Sequence, residues 1–401
     1  MVCMSKNILL LSSNFCGNVG DLFIFESVCN FLLKNSGDVR IEVHPYPIRY
    51  DPFVALPTIN KYEGRVEIVK PAFRIRKSID HLMRRFHLVE KVVTNIYFCN
   101  YFNVFRVTRS LPFPGKHKYD QIIVVGGEMD APFSLLDVHS YLNTFQVPVK
   151  RIIYGPISLN PKKHHEKFIR ERFKEVQEFA VRDPLSLKKL NDIGINNNVL
   201  IPDCAFLSFD KNKFNIRVST HKKIGLCLHS RWGHIVELKE FVSKISKACL
   251  EIGCEIVFFV TNVKEDYVLF NEMQKIISDF ENIKIALPTT VEQLNTMYST
   301  LDIVISDRLH GLLIGMLNGC VILPLATRQK VRGYCQYLNL NTNLNGNETQ
   351  DELIAIISEI YNSIRFHREH LLCFMEEANK DVSTYYTDKL YASGLLKNEN
   401  S

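Results

Sequence analysis

Short apolar runs alternate with longer amphipathic ones along most of this chain. In the first half, residues 7–13, 39–46, 121–125, 151–156 and 179–181 read as strands, and Val199 to Asp203 closes that half. Helices are expected from Leu22 to about Lys34, capped by Asp21, from His164 to Glu178, and from Ser186. The polar stretch Asp210 to Lys223 is the best linker. Beyond it, strands at 224–228, 255–260, 282–286, 301–306 and 320–325 alternate with helices at 236–251, 265–280, 291–299 and 309–318, and the tail from Asp351 reads as helix. Apolar strands separated by amphipathic helices are the pattern of parallel sheets covered on their faces. The chain therefore reads as α/β, with two Rossmann-like domains whose parallel sheets face a cleft: residues 1–212, with a basic helical insertion at about 70–118, and residues 213–401 with a helical tail.

Composition narrows the setting. No apolar run approaches the ~18 residues of a membrane-spanning helix. The run Ile8–Leu11 is too short for the apolar region of a signal peptide and reads as the first strand. There are 11 cysteines and no Cys-x-x-Cys pair, which favours a reducing, cytoplasmic setting and disfavours a zinc or dithiol site. The net charge of +6 is unevenly spread: residues 70–118 carry eleven Lys or Arg against Asp80 and Glu90, a surplus of +9, so the remainder is −3. Aromatics such as Phe86, Tyr97, Tyr101 and Phe105 lie in the same segment. It reads either as a solvated insertion with an aromatic inner face or as a peripheral contact with the inner face of a membrane; a nucleic-acid partner is not expected.

Candidate chemistry gathers where strands end. Ser306-Asp307-Arg308-Leu309-His310-Gly311 joins an apolar strand to an apolar helix, so Arg308 and His310 would face a ligand together. Arg is a fixed fork for phosphate or carboxylate, and His carries a proton near neutral pH. At the first strand end, Gly17 and Gly20 allow close backbone approach beside Asp21, but neither a dinucleotide fingerprint nor a phosphate-loop lysine is present. Gly126, Gly127 and Glu128 end another buried strand, where Glu128 could bind sugar hydroxyls or move a proton. Arg182-Asp183 offers either a cation for the ligand or an ion pair supporting the turn. Arg231, beside the sole tryptophan Trp232, and Lys330 are further candidate cations; the basic run 328–332 that holds Lys330 reads either as a solvated loop or as part of a phosphate site.

The order of these pieces resembles the polysaccharide pyruvyl transferase family over roughly residues 8–340. The matching stretches are Gly17-Asn18-Val19-Gly20-Asp21, Val124 to Glu128, Tyr154-Gly155-Pro156, Val181 to Ser186, Asp203-Cys204-Ala205-Phe206 and, most specific, Asp307 to Gly311. The family often has a third glycine where Glu128 stands and an arginine where His229 stands; here the arginine, Arg231, comes two residues later. The resemblance implies a fold like that of GT-B glycosyltransferases. It implies transfer of a pyruvyl group from phosphoenolpyruvate to two hydroxyls of one sugar, in a polysaccharide or lipid-linked oligosaccharide of exopolysaccharide or cell-surface glycan biosynthesis, giving a cyclic ketal. No cofactor or metal is implied. In that frame His310 is the candidate acid, Asp21 or Glu128 holds acceptor hydroxyls or acts as base, and Arg182, Arg308, Arg231 and Lys330 bind the donor's anionic groups beside Gly17, Gly20, Gly126 and Gly127. A GT-B glycosyltransferase using a nucleotide sugar, and a non-enzymatic membrane-associated glycan-assembly protein, are the alternatives.

Overall fold

The computed structural model describes residues 6–12, 17–36, 38–45, 57–68, 119–125, 127, 152–159, 166, 169–170, 178–212, 214, 221–230, 235–340 and 342–396. The basic segment 70–118 and the candidates Gly126, Glu128 and Arg231 lie outside them.

The described residues form two compact units, one of residues 1–16, 24–204 and 382–401, the other of 17–23 and 205–381. The first contains a seven-stranded parallel sheet: β1 (Lys6–Ser12), β2 (Val39–Pro45), β3 (Val66–Ile68), β4 (Gln121–Val125), β5 (Ile152–Ile157), β6 (Phe179–Val181) and β7 (Asn198–Leu200), in the spatial order β3-β2-β1-β4-β5-β6-β7. Ile8, Leu9, Leu10, Ile122, Ile123 and Val124 are fully buried, as both-face burial of parallel strands requires. Helix α1 (Val19–Asn35) follows β1, and helix α2 (Pro184–Asp192) follows β6.

The second unit contains β8 (Lys222–Cys227), β9 (Cys254–Phe259), β10 (Ile283–Ala286), β11 (Ile303–Ser306) and β12 (Val321–Pro324), all parallel, in the order β10-β9-β8-β11-β12. Its helices are α3 (Ile235–Glu251), α4 (Tyr267–Ile276), α5 (Val291–Tyr298), α6 (Leu309–Leu317), α7 (Gln329–Tyr337), α8 (Gln350–Asn362) and the long α9 (Ile364–Ala392), whose last turns, from 382, belong to the first unit. The core of this unit joins Ile224, Leu226, Ile256, Phe258, Ile303 and Ile305 of the sheet to Leu238, Val242 and Ile245 of α3 and Leu353 and Ile357 of α8. Each such side chain contributes about 1.5–3 kcal/mol by leaving water.

In both sheets the strand order reverses beside the first strand, between β1 and β4 and between β8 and β11. Ligands of open α/β sheets bind outside the carboxyl ends of strands at such a reversal. Ser306, the last residue of β11, pairs in register with Cys227, the last of β8, so the Arg308–His310 segment leaves the sheet at this point.

Two local readings change. Helix α1 starts at Val19, so Asp21 lies in its first turn instead of capping it, and its carboxylate faces another element. The basic run after β12 is not a loop: Arg328 is the N-cap residue of α7, and Val331, Gly333, Tyr334 and Cys335 are its buried positions. Only i, i+3 and i+4 spacing within nine residues marks that helix, and the dense charge hides it.

Candidate functional site

At the β11–α6 junction the Ser306 hydroxyl donates to the carbonyls of Cys227 (2.8 Å) and Arg308 (3.1 Å) and accepts from the Arg308 N–H (2.9 Å). This clamp fixes the turn from strand to helix. Gly311 follows because a Cβ there would lie 2.6 Å from Ser306 Oγ. Tyr298 reinforces the turn by donating to the Gly311 carbonyl at 2.7 Å.

Two side chains leave this turn. Arg308 is buried, and its Nη2 donates to both carboxylate oxygens of Asp266. Glu265 adds a carboxylate 3.7 Å from Nη1. Asp266 is fully buried and also accepts from the Ser230 N–H at 2.9 Å, so its side chain is committed to the junction and does not cap α4, whose N-cap residue it is. Burial pushes the Asp266 carboxyl above its ordinary range, with the Arg308 charge opposing that shift. Burial works against the Arg308 charge, but Asp266, with Glu265 adding to it, holds the guanidinium above its ordinary value. This is a fixed, internally neutralised cation.

His310 presents Nδ1 to Asp21 Oδ1 at 3.1 Å, with both side chains about nine-tenths buried. Asn18 Nδ2 donates to the other oxygen of Asp21 at 2.6 Å, and Asn18 Oδ1 accepts the Gly20 N–H at 3.1 Å. Gly20 is required by close approach: a Cβ there would lie 2.6 Å from the His310 Cβ. Residues 17–19 are laced to the loop after β9, with an Asn18–Asn262 bridge and bonds from Val19 N to Thr261 O (2.8 Å) and from Val263 N to Gly17 O (3.3 Å). That loop also carries Asp266, whose N–H donates to the Asn262 carbonyl at 2.8 Å. Asn262 thus anchors both the segment that leads into the first turn of α1, where Asp21 lies, and the residue that holds Arg308.

The structure therefore brings together Gly17, Gly20, Asp21, Arg308 and His310 in the second unit. Lys330, half-buried, lies in the first turn of α7 after β12 of the same sheet. Arg182 belongs to the first unit, where it is 1% exposed. Its Nε donates to Ser158 Oγ (2.8 Å) and its Nη1 to Asp203. Ser158 donates in turn from its hydroxyl to Asp183 (2.8 Å) and from its N–H to the Gly127 carbonyl (3.0 Å). Asp183 caps α2 by accepting from Ser186 N and Oγ, each at 2.8 Å. Arg182 is thus part of an ion pair supporting the turn, but its partner is Asp203, twenty-one residues on, and not the adjacent Asp183. The second-unit loop Thr261–Asp266 escapes sequence reading, since its polar residues match no motif; only the Asp266 side chain just before an amphipathic helix hints at it.

Among the described residues no group of three or more His, Cys, Asp or Glu is placed to hold a metal ion, and no helix is long and apolar enough to cross a membrane. Chemically, the junction offers an imidazole with a fixed carboxylate partner, a buried guanidinium and the first turn of α6, whose positive dipole end favours an anion.

Solved structures with the same architecture include S. aureus MnaA with UDP (12% identity, TM-score 0.55, covering 96% of this chain and 98% of that one). UDP-GlcNAc 2-epimerase from Neisseria meningitidis bound to UDP-GlcNAc is 12% identical with TM-score 0.54, covering 96% and 100%. A glycosyltransferase from Rickettsia africae is 10% identical with TM-score 0.56, covering 98% and 100%. These likenesses establish the fold, that of GT-B glycosyltransferases and related epimerases. No curated protein matches the sequence. The model of the family described as polysaccharide pyruvyl transferase matches residues 18–328, a stretch that holds Asn18, Asp21, Arg182, Arg308 and His310. The chain is a member of the polysaccharide pyruvyl transferase family.

Proposed function

We propose that this protein transfers a pyruvyl group from phosphoenolpyruvate to two hydroxyls of one sugar in a polysaccharide or lipid-linked oligosaccharide. The observation that carries the reading is the His310–Asp21 pair, 3.1 Å apart at the N-terminal end of α6. The reaction needs a proton on C3 of the enol phosphate, which makes C2 electrophilic. One sugar hydroxyl adds to C2 and gives up its proton. The bond from C2 to the phosphate oxygen then breaks, its electron pair leaving with phosphate, and the second hydroxyl adds and loses its proton. One donor and one diol yield one ketal and one inorganic phosphate.

A single imidazole serves these steps if its Nδ1–H is held and its Nε2 exchanges the proton. Asp21 supplies that hold and stabilises the imidazolium, as the carboxylate does in the familiar serine-histidine-aspartate arrangement. The helix N-terminus and Lys330 favour the donor's phosphate and carboxylate, while Arg308, neutralised and held by Asp266, fixes the turn from which His310 projects. The scheme itself calls for no cofactor. The acceptor places the protein at the cytoplasmic face of a membrane if it is lipid-linked, and the basic segment 70–118 suits that surface.

Incubation with phosphoenolpyruvate and candidate glycans should release phosphate and form ketal, and His310→Ala should lower kcat about 10²–10⁴-fold. Unchanged activity in that variant would remove His310 from the chemistry. The second reading, nucleotide-sugar transfer, draws on the UDP seen in MnaA. Turnover of a nucleotide sugar, with calorimetric binding of UDP and none of phosphoenolpyruvate, would replace the first reading with it.

A further inference from the structure

Asn18 lies in the family-like stretch 17–21, and its side chain reaches the proton-transfer pair through Asp21. Its backbone is fixed by the bridge to Asn262 and by the Leu22 N–H, which donates to its carbonyl at 3.1 Å. Its amide orientation is also determined. The Gly20 N–H can be accepted only by Oδ1, which turns Nδ2 toward Asp21 Oδ2 at 2.6 Å. The terminal torsion of an aspartate is broad, so a carboxylate does not choose its own plane. Here one oxygen is engaged by Asn18 and the other faces His310 Nδ1.

We propose that Asn18 is a positioning residue for the proton-transfer pair. It sets the plane of the Asp21 carboxylate, which keeps the His310 proton on Nδ1 and Nε2 unprotonated. The proposal rests on the reading of His310 as the proton-transfer group, but its immediate consequence is a tautomer, which can be observed without turnover. Among the described residues, the charged groups on the elements that meet here include Asp21 on α1, Arg308 at the start of α6 with its partners Glu265 and Asp266, and Lys264, whose stem lies beside Gly17.

The test uses the full chain with ¹⁵N-labelled histidine, the His310 signals being those lost in His310→Ala. At a pH where His310 is neutral, the wild type should show the Nδ1–H tautomer. Asn18→Ala and Asn18→Asp should move the population toward the Nε2–H form. Asn18→Asp is isosteric and still accepts the Gly20 N–H, so it decides the matter should the alanine variant fail to fold. In the pyruvyl transfer assay kcat should fall about 10–100-fold while the KM for phosphoenolpyruvate changes little. His310 signals identical in wild type and Asn18→Asp would overturn the proposal, whatever the activity. A tautomer shift in a protein that never turns over phosphoenolpyruvate would leave Asn18 in its role and sink the reaction instead.

Discussion

Gly20 and His310 approach so closely that a methyl group on Gly20 would come within 2.6 Å of the His310 Cβ and 3.1 Å of its Nδ1. The first atom belongs to the rigid root of the side chain, so the clash cannot be relieved by a swing of the ring tip. Gly20→Ala should therefore push α1 and α6 apart or turn the imidazole away from Asp21. Overpacking of this kind costs about 1–3 kcal/mol. Denaturant titration measures that cost. A loss of turnover beyond it, at a temperature where the variant is folded, reports displacement of His310.

Arg308 and Asp266 test whether a buried pair is worth more intact than broken. Removing Asp266 leaves a buried guanidinium with Glu265, 3.7 Å away, as its remaining ion-pair partner among the described residues, and breaking such a pair costs about 3–5 kcal/mol. Asp266→Ala should be the more damaging change. Arg308→Met combined with Asp266→Leu should recover much of the stability but not the activity. Thermal unfolding of the two variants beside the wild type decides it, and equal losses in both would contradict the pairing argument.

Arg182 uses the fork geometry that lysine lacks: Nε serves Ser158 and Nη1 serves Asp203. Arg182→Lys should therefore fail to restore what Arg182→Ala loses, with both destabilised by roughly 3–5 kcal/mol. Chemical denaturation checks this. Full stability in Arg182→Lys would mean that charge alone suffices at this turn.

Thiol chemistry gives a pH prediction. Burial pushes the Cys227 thiol up to about 12 and the Cys254 and Cys335 thiols up to about 11, while Cys373 is exposed. At pH 8 iodoacetamide should label Cys373 in the native protein and reach the other three only after unfolding, as read by peptide mapping. The sign of the stability effect follows. The unfolded thiols ionise near their ordinary value of about 9, while the folded ones stay protonated, so the folded state binds more protons and stability is lost as pH rises from there toward 11 and 12. Urea midpoints between pH 8 and 11 should fall, and a flat profile would rule the effect out.

Legibility in the sequence followed the range of the interaction. The strands announced themselves because burial on both faces leaves continuous apolar runs, as in Gln121–Val125 and Ile303–Ser306. Arg308 and His310 were legible because a strand end and a helix start meet within six residues. Asp21 was visible as a residue, but its role was misread as a cap, since its partner lies 289 positions away in His310.

The sequence by itself determined the alternating elements, the two parallel sheets and a short roster of cations, carboxylates and glycines at strand ends. Local periodicity and steric limits on turns act over a few residues and are written there. The tertiary structure alone decided which of those residues meet. It joined Asn18 and Asp21 to His310, gave Arg308 to Asp266 and Arg182 to Asp203, and made the unremarked loop Thr261–Asp266 the support of both arms of the site. Those choices depend on strand order and register, which place distant loops at one edge of a sheet, and on burial, which forces each enclosed charge to find a partner.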